Sequence, residues 1–303
     1  MNRVLILGGN GYIGGALASN LMARGYHVTV VSRSDVSNVV CHQYIQLDLA
    51  KNDAARSLKL ENIDTVIDLV SYIPPNTENI TVSDIKRSLE SYENLLRHIN
   101  DKHYLFFSSG GTVYGDSSTP LSENAPLNPV SPYGIQKCIQ EELIQEIISK
   151  GVIMRVTNPY GGNQQVKHGV GFVGHLLNCY ARDKILTLTV PECTTRDYID
   201  LRDLMIITAA LIERSSIGVE VFNISSGKAT SLKQLIASLC SDFSSNVNSD
   251  LSRFIEKSHI SSNVLINEKV KIALNIEINH SVIDYIKRKS KEYDEFKSSL
   301  GGT

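Results

Sequence analysis

The chain has 303 residues, enough for one large domain or two small ones around a full core. Hydrophobic residues make up 42% and charged ones 20%, which excludes a disordered or low-complexity chain. A formal net charge of −2 offers no basic excess for nucleic acid or a membrane surface, and apolar runs such as Val4–Leu7 and Val28–Val31 are too short to span a bilayer.

A strand pattern opens at Arg3 with no cleavable leader before it, and the five cysteines are scattered, never in CxxC spacing. The expectation is a cytoplasmic protein with reduced thiols; neither cysteines nor histidines have metal-ligand spacing, so no metal site is expected.

Through the first half, short apolar strands alternate with helical patterns. Val4–Gly8, Val28–Ser32, Tyr44–Leu47, Thr65–Val70, Tyr104–Ser109 and Val152–Thr157 read as buried strands. Ile85, Leu89, Tyr92, Leu96 and Ile99 form one helical stripe, and Ile139, Leu143 and Ile147 another. Such alternation predicts an α/β fold: a Rossmann-type, doubly wound parallel sheet with right-handed crossovers, whose ligands bind at the carboxyl ends of its strands. From about residue 159 the regularity breaks. Helical patterns at 172–182, 201–213, 232–239 and 281–291 mix with strand candidates at 185–189 and 219–225, the latter able to rejoin the first sheet. The organisation read from this is a dinucleotide-binding domain over 1–158, with 197–225 able to rejoin it, and a smaller mixed α/β substrate-binding domain over 159–303. Ser241–Ser262, rich in Ser and Asn, reads as a surface loop with weak structure.

The first strand runs into Gly8-Gly9-Asn10-Gly11-Tyr12-Ile13-Gly14 and a helix closed by Gly25. Glycines at 8, 11 and 14 leave backbone N–H groups open to a pyrophosphate at a helix N-terminus. The spacing is GxxGxxG, and no Gly-Lys-Ser/Thr follows, which excludes a P-loop ATPase. At the end of the second strand, where NAD sites usually place a carboxylate for the ribose 2′-OH, the chain has Ser32-Arg33-Ser34, with Asp35 two residues late. A guanidinium beside a hydroxyl suits a 2′-phosphate, so NADP(H) is preferred and NAD(H) remains possible.

Four of the eight prolines lie between Pro120 and Pro132, so that stretch is stiff loop. Ser131 then reads as an N-cap, Pro132 as the first helical residue, and Tyr133 and Lys137 fall on one face a turn apart. A free phenol is a poor base at neutral pH; a nearby ammonium and a helix N-terminus are expected to lower its pKa.

Together with Ser108-Ser109-Gly110-Gly111-Thr112-Val113-Tyr114-Gly115, Asn158-Pro159-Tyr160-Gly161, Arg196-Asp197-Tyr198-Ile199 and Asn223-Ile224-Ser225-Ser226-Gly227, these motifs resemble the extended short-chain dehydrogenase/reductases, in the group of nucleotide-sugar epimerases, dehydratases and reductases. The resemblance implies Tyr133 as catalytic acid/base and Lys137 as binder of the nicotinamide ribose. It places Asp48-Leu49 at the adenine and Leu69, Val70 and Ser71 along the cofactor. Asn158 would hold the sugar or its phosphates and Arg196 the diphosphate, unless Arg196 is spent on an ion pair with Asp197 or Asp203. A homodimer through the helices at 85–99 and 139–148 is implied too, against the plain alternative that their stripes only face the sheet.

Two positions depart from the pattern. Gly110 stands where the family commonly has a catalytic Ser or Thr, leaving Ser109, Thr112 or a backbone N–H to polarise the substrate; Thr112 is favoured. Gly111 and Thr112 replace the Asp-Glu pair of 4,6-dehydratases, which excludes dehydration. The functions left are an NADPH-consuming 4-ketoreductase of a nucleotide-linked 4-keto-6-deoxyhexose, an NDP-hexose 4-epimerase, and a non-catalytic NADP sensor. Arg33 favours the reductase. The base and the hexose are not legible.

Overall fold

The computed structural model describes residues 2–51, 53–75, 77, 80–162, 171–214, 217–252 and 260–300. In chain order the elements are β1 (Arg3–Leu7), α1 (Tyr12–Ala23), β2 (His27–Ser32), β3 (Gln43–Gln46), β4 (Thr65–Asp68), α2 (Val82–Ser88), α3 (Glu90–Ile99), β5 (His103–Ser109), α4 (Pro132–Ile147), β6 (Lys150–Val156) and β7 (Asn158–Tyr160). There follow α5 (Phe172–Ala181), β8 (Leu186–Leu188), β9 (Thr195–Asp200), α6 (Leu201–Glu213), β10 (Gly218–Ile224), β11 (Ala229–Ser231), α7 (Leu232–Ala237), β12 (Val247–Ser249), α8 (Glu268–Leu274) and α9 (Val282–Leu300).

Seven strands form one sheet in the order β10-β6-β5-β4-β1-β2-β3, every pair parallel. The chain runs outward from β1 to β3, then returns to β4 on the other side of β1. That reversal opens a crevice beyond the carboxyl ends of β1 and β4.

The strands are apolar on both faces because both are covered. Val4, Ile6, Val30, Phe107 and Met154 pack against Leu17 and Leu21 of α1 and Leu204, Ile207 and Leu211 of α6. Leu5, Leu7, Val66, Phe106 and Ile153 pack on the opposite side against α2, α3 and α4. A third apolar cluster joins α5, α7 and α9 through Leu176, Leu235, Tyr285 and Ile286, with Tyr160 beneath.

Two expectations are corrected. The stripe Ile85–Ile99 belongs to two helices broken at Leu89, where the first turns out of helical geometry, and its five residues are buried against the sheet. The stripe Ile139, Leu143 and Ile147 is on α4 as expected, half-buried against the sheet, beside a buried face of Gln136, Lys137, Gln140, Glu141 and Ile144, where Glu141 pairs with Arg155. Within Ser241–Ser262, β12 pairs in parallel with β8, so that stretch contributes a strand; residues 253–259 lie outside the described residues.

Candidate active site

The glycine loop leaves β1 directly into α1. A Cβ at Gly14 would lie 2.6 Å from the Gly9 Cα and 2.8 Å from the Gly8 carbonyl, so only glycine lets the helix start this close to the strand. The N-cap of α1 is Gly11; no side chain caps the helix and no acid stands in its first turn, so its N–H groups suit an anion.

In front of this loop lies a cleft of about 410 Å³. It is lined by Gly8, Asn10, Gly11, Ser32, Arg33, Ser34, Asp48, Leu49, Leu69, Val70 and Ser71, among others. A second cleft of about 330 Å³ shares Gly8, Gly11 and Leu69 and continues past Tyr12, Ile13 and Gly14 to Asn158 and Pro159. Together they form an elongated trough across the switch point, with a guanidinium at one end and a bare helix N-terminus in the middle. Those donors match a dinucleotide phosphate chain. Arg33 is exposed and makes no ion pair among the described residues. One oxygen of Asp48 is spent on the N–H of Ala50, at 3.2 Å.

The catalytic candidates arrive on β5 and α4. The Ser131 hydroxyl accepts from the N–H of Gly134 at 3.1 Å, and Pro132 sits in the first turn, so the stiff proline loop delivers Tyr133 at the helix mouth. The Tyr133 phenol stands near the Ser109 side chain at the end of β5. Burial pushes the phenol above its ordinary range, and the Ser109 side chain draws it back. Burial is the larger influence, and the lowering expected from Lys137 is not seen in the protein alone.

Lys137 is buried and directs two donors to backbone, the Phe107 carbonyl at 2.9 Å and the Val70 carbonyl at 3.4 Å. An ammonium has three donors, so one is left for a ligand. Burial lowers its pKa to about 8, opposed by the charges of Asp68 and Glu141.

Asp68 was not singled out in the sequence, although a carboxylate inside the apolar run 65–70 is a visible signal. Fully buried, it accepts from Tyr104 Oη at 2.6 Å and from the Val70 N–H at 2.8 Å. Glu141, one turn beyond Lys137, holds Arg155 at 2.7 Å, and Arg155 reaches Tyr114 Oη at 2.8 Å. This buried pair braces the β5 end from below.

The vacant family position is explained sterically. A Cβ at Gly110 would meet Leu265 Cδ1 at 2.5 Å and the Arg155 carbonyl at 2.8 Å. No Ser or Thr fits. The Thr112 hydroxyl points to the Ser109 carbonyl, at 3.4 Å.

On the substrate side, the Asn158 amide donates to the Asp197 carbonyl at 2.8 Å. Arg196 is largely buried and donates to the Thr195 carbonyl at 2.8 Å. Its two suspected partners are engaged elsewhere. Asp197 accepts from Ser226 Oγ at 2.8 Å and from the N–H groups of Ser226, Gly227 and Leu265, whereas Asp203 holds His280 at 2.6 Å. Of the stretch 161–171 between β7 and α5, residues 163–170 lie outside the described residues. No described helix is long and apolar enough to cross a membrane.

Residues 4–225 match the model of the NAD dependent epimerase/dehydratase family. The chain is 29% identical over 257 residues to a dTDP-4-dehydro-6-deoxyglucose reductase of Escherichia coli, covering 78% of this chain and 81% of that one. It is 26% identical to a putative UDP-glucose 4-epimerase of Methanocaldococcus jannaschii, covering 77% and 79%. In structure it resembles the UDP-glucose 4-epimerase of Thermotoga maritima solved with UDP-glucose, with a TM-score of 0.80, 23% identity and 98% and 99% coverage. The Thermus thermophilus UDP-glucose 4-epimerase solved with NAD gives 0.79, 20% identity and 96% and 99% coverage. With the trough, the tyrosine at the helix mouth and this match in place, the chain is an enzyme belonging to the NAD dependent epimerase/dehydratase family.

Proposed function

We propose that the enzyme reduces a nucleotide-linked 4-keto-6-deoxyhexose to the 4-hydroxy sugar at the expense of NADPH. The observation that carries this over epimerisation is Arg33, a guanidinium without an ion-pair partner among the described residues, on the trough wall where an acid would serve NAD. The similarity to the Escherichia coli reductase supports it. Gly111 and Thr112, in place of an Asp-Glu pair, leave dehydration without its acid and base.

The trough would hold the cofactor through the N–H groups at the start of α1, Arg33 and Ser32 at the ribose, Asp48 and Leu49 at the adenine, and Leu69, Val70 and Ser71 along its length. Bound there, a reduced nicotinamide supplies the hydride. The chain supplies the proton. Tyr133, kept protonated by burial, gives its phenolic proton to the carbonyl oxygen at carbon four, and Lys137 stabilises the phenolate left behind. Hydride on carbon and proton on oxygen make the alcohol. The nearness of Ser109 to the phenol, with the Thr112 hydroxyl facing a carbonyl, favours Ser109 over Thr112 as the hydroxyl that polarises the substrate oxygen. Asn158 and Arg196 would take the sugar and the diphosphate.

Purified enzyme given NADPH and a dTDP-linked 4-keto-6-deoxyglucose should oxidise one NADPH per sugar. The epimerase reading, favoured by the Methanocaldococcus jannaschii relative, predicts UDP-hexose interconversion with no net change at the nicotinamide band.

The division into a cofactor domain over 1–158, joined by 197–225, and a substrate domain over 159–303 fits the sheet that β10 completes. The half-buried apolar residues Ile135, Ile139, Leu143 and Ile147 of α4 support a homodimer, which sedimentation at micromolar concentration tests. A cytoplasmic location accords with a soluble nucleotide-sugar substrate.

A further inference from the structure

The loop after β2 doubles back onto the glycine loop, and one side chain holds it there. Asn10 Nδ2 donates to the Val36 carbonyl at 3.0 Å, and its Oδ1 accepts from the N–H of Asn38 at 2.9 Å. From β3, Tyr44 Oη donates to the Ser34 carbonyl at 2.9 Å, and the Ser34 hydroxyl closes a turn onto the Val36 carbonyl at 3.1 Å. Val39 packs into the apolar cluster under α1. The segment 34–39 is thus pinned from three elements although much of it is exposed.

That matters because Arg33 and Asp35, two residues apart, carry opposite charges and opposite preferences. A guanidinium suits a 2′-phosphate; a carboxylate suits a 2′-hydroxyl. Both are exposed, yet Arg33 lines the trough and Asp35 does not. Loop register decides which one meets the ribose.

We infer that Asn10 is a positioning residue for cofactor selection: by clamping Val36 and Asn38 it fixes the register that turns Arg33, and not Asp35, toward the ribose 2′ position. The direction of selection rests on the role proposed above for Arg33; the clamp itself does not.

The test titrates the wild type and the Asn10→Ala, Tyr44→Phe and Arg33→Ala variants with NADPH and with NADH, following nicotinamide fluorescence without substrate. Melting curves report folding. Asn10→Ala is expected to raise the NADPH Kd about tenfold more than it raises the NADH Kd, because two hydrogen bonds that hold the arginine in register are lost. Tyr44→Phe moves the ratio of the two constants the same way by less. Arg33→Ala raises the NADPH Kd at least as much as Asn10→Ala. If the wild type prefers NADH and Asn10→Ala still brings the ratio toward one, the Arg33 role fails and the clamp stands. A ratio unchanged in Asn10→Ala overturns the clamp, whichever cofactor the wild type prefers. Should that variant not fold, an unchanged ratio in Tyr44→Phe overturns it equally.

Discussion

Lys137 Nζ lies 5.8 Å from the centre of the Tyr133 ring and spends two of its donors on the carbonyls of Phe107 and Val70. No hydrogen bond joins the two side chains among the described residues. The side chain that favours the ionised phenol is Ser109. A phenol raised by burial is a poor base but a sound proton donor at neutral pH, which suits ketone reduction.

A pH profile follows from the lysine. Burial lowers Lys137 to about 8, so above that pH the ammonium loses its proton and no longer stabilises the phenolate. We predict that kcat/KM for reduction falls on the alkaline side with an apparent pKa near 8. Lys137→Met should remove that limb and lower the rate at every pH.

Which hydroxyl assists Tyr133 is decided by comparing two deletions. Ser109→Ala should lower kcat by about 10²-fold, the lower end for a lost proton-transfer partner, whereas Thr112→Val, whose hydroxyl faces a carbonyl at 3.4 Å, should change it by less than about threefold. Equal losses would return the role to Thr112.

Restoring the family hydroxyl at Gly110 should fail. Gly110→Ser places a Cβ against the Arg155 carbonyl, which cannot move without disturbing the buried Arg155–Glu141 pair. Overpacking of this kind costs about 1–3 kcal/mol, and chemical denaturation should show that loss with no gain in kcat.

Asp197 ties β9 to the segments at Ser226–Gly227 and Leu265. Asp197→Asn turns one acceptor oxygen into a donor facing backbone N–H groups and should destabilise the protein by about 1–3 kcal/mol at pH 7. Burial pushes the folded carboxyl up to about 6 from the usual 3.8, so the folded state binds its proton more tightly than the unfolded chain. Stability from this group is present in full below 3.8 and lost as pH rises through 6. The gap in Tm between wild type and variant should therefore widen as the pH falls from 7 toward 4.5, as far as this group sets it.

The sheet was legible because each strand buried on both faces reads as an unbroken apolar run, and the glycine loop and Ser131-Pro132-Tyr133 carry their local geometry in their residue types. Contacts between distant segments were not. The break at Leu89 is invisible in a stripe that stays in phase across it. The burial of Glu141 on α4 depends on Arg155 of the next strand, so the polar face that α4 buries beside its apolar stripe was not legible. The glycine at 110, where the family has a hydroxyl, needed the close approach of Leu265 and the Arg155 carbonyl, more than forty residues away in either case.

The central claim is that the Tyr133 phenol delivers the proton while hydride is transferred. The most direct measurement is the single-turnover rate of NADPH oxidation by a nucleotide-linked 4-keto-6-deoxyhexose in wild type and Tyr133→Phe, with NADPH affinity measured alongside. We predict a rate about 10²–10⁴-fold lower in the variant, with the NADPH Kd changed by less than about twofold. A Tyr133→Phe enzyme that oxidises NADPH at the wild-type rate would contradict it.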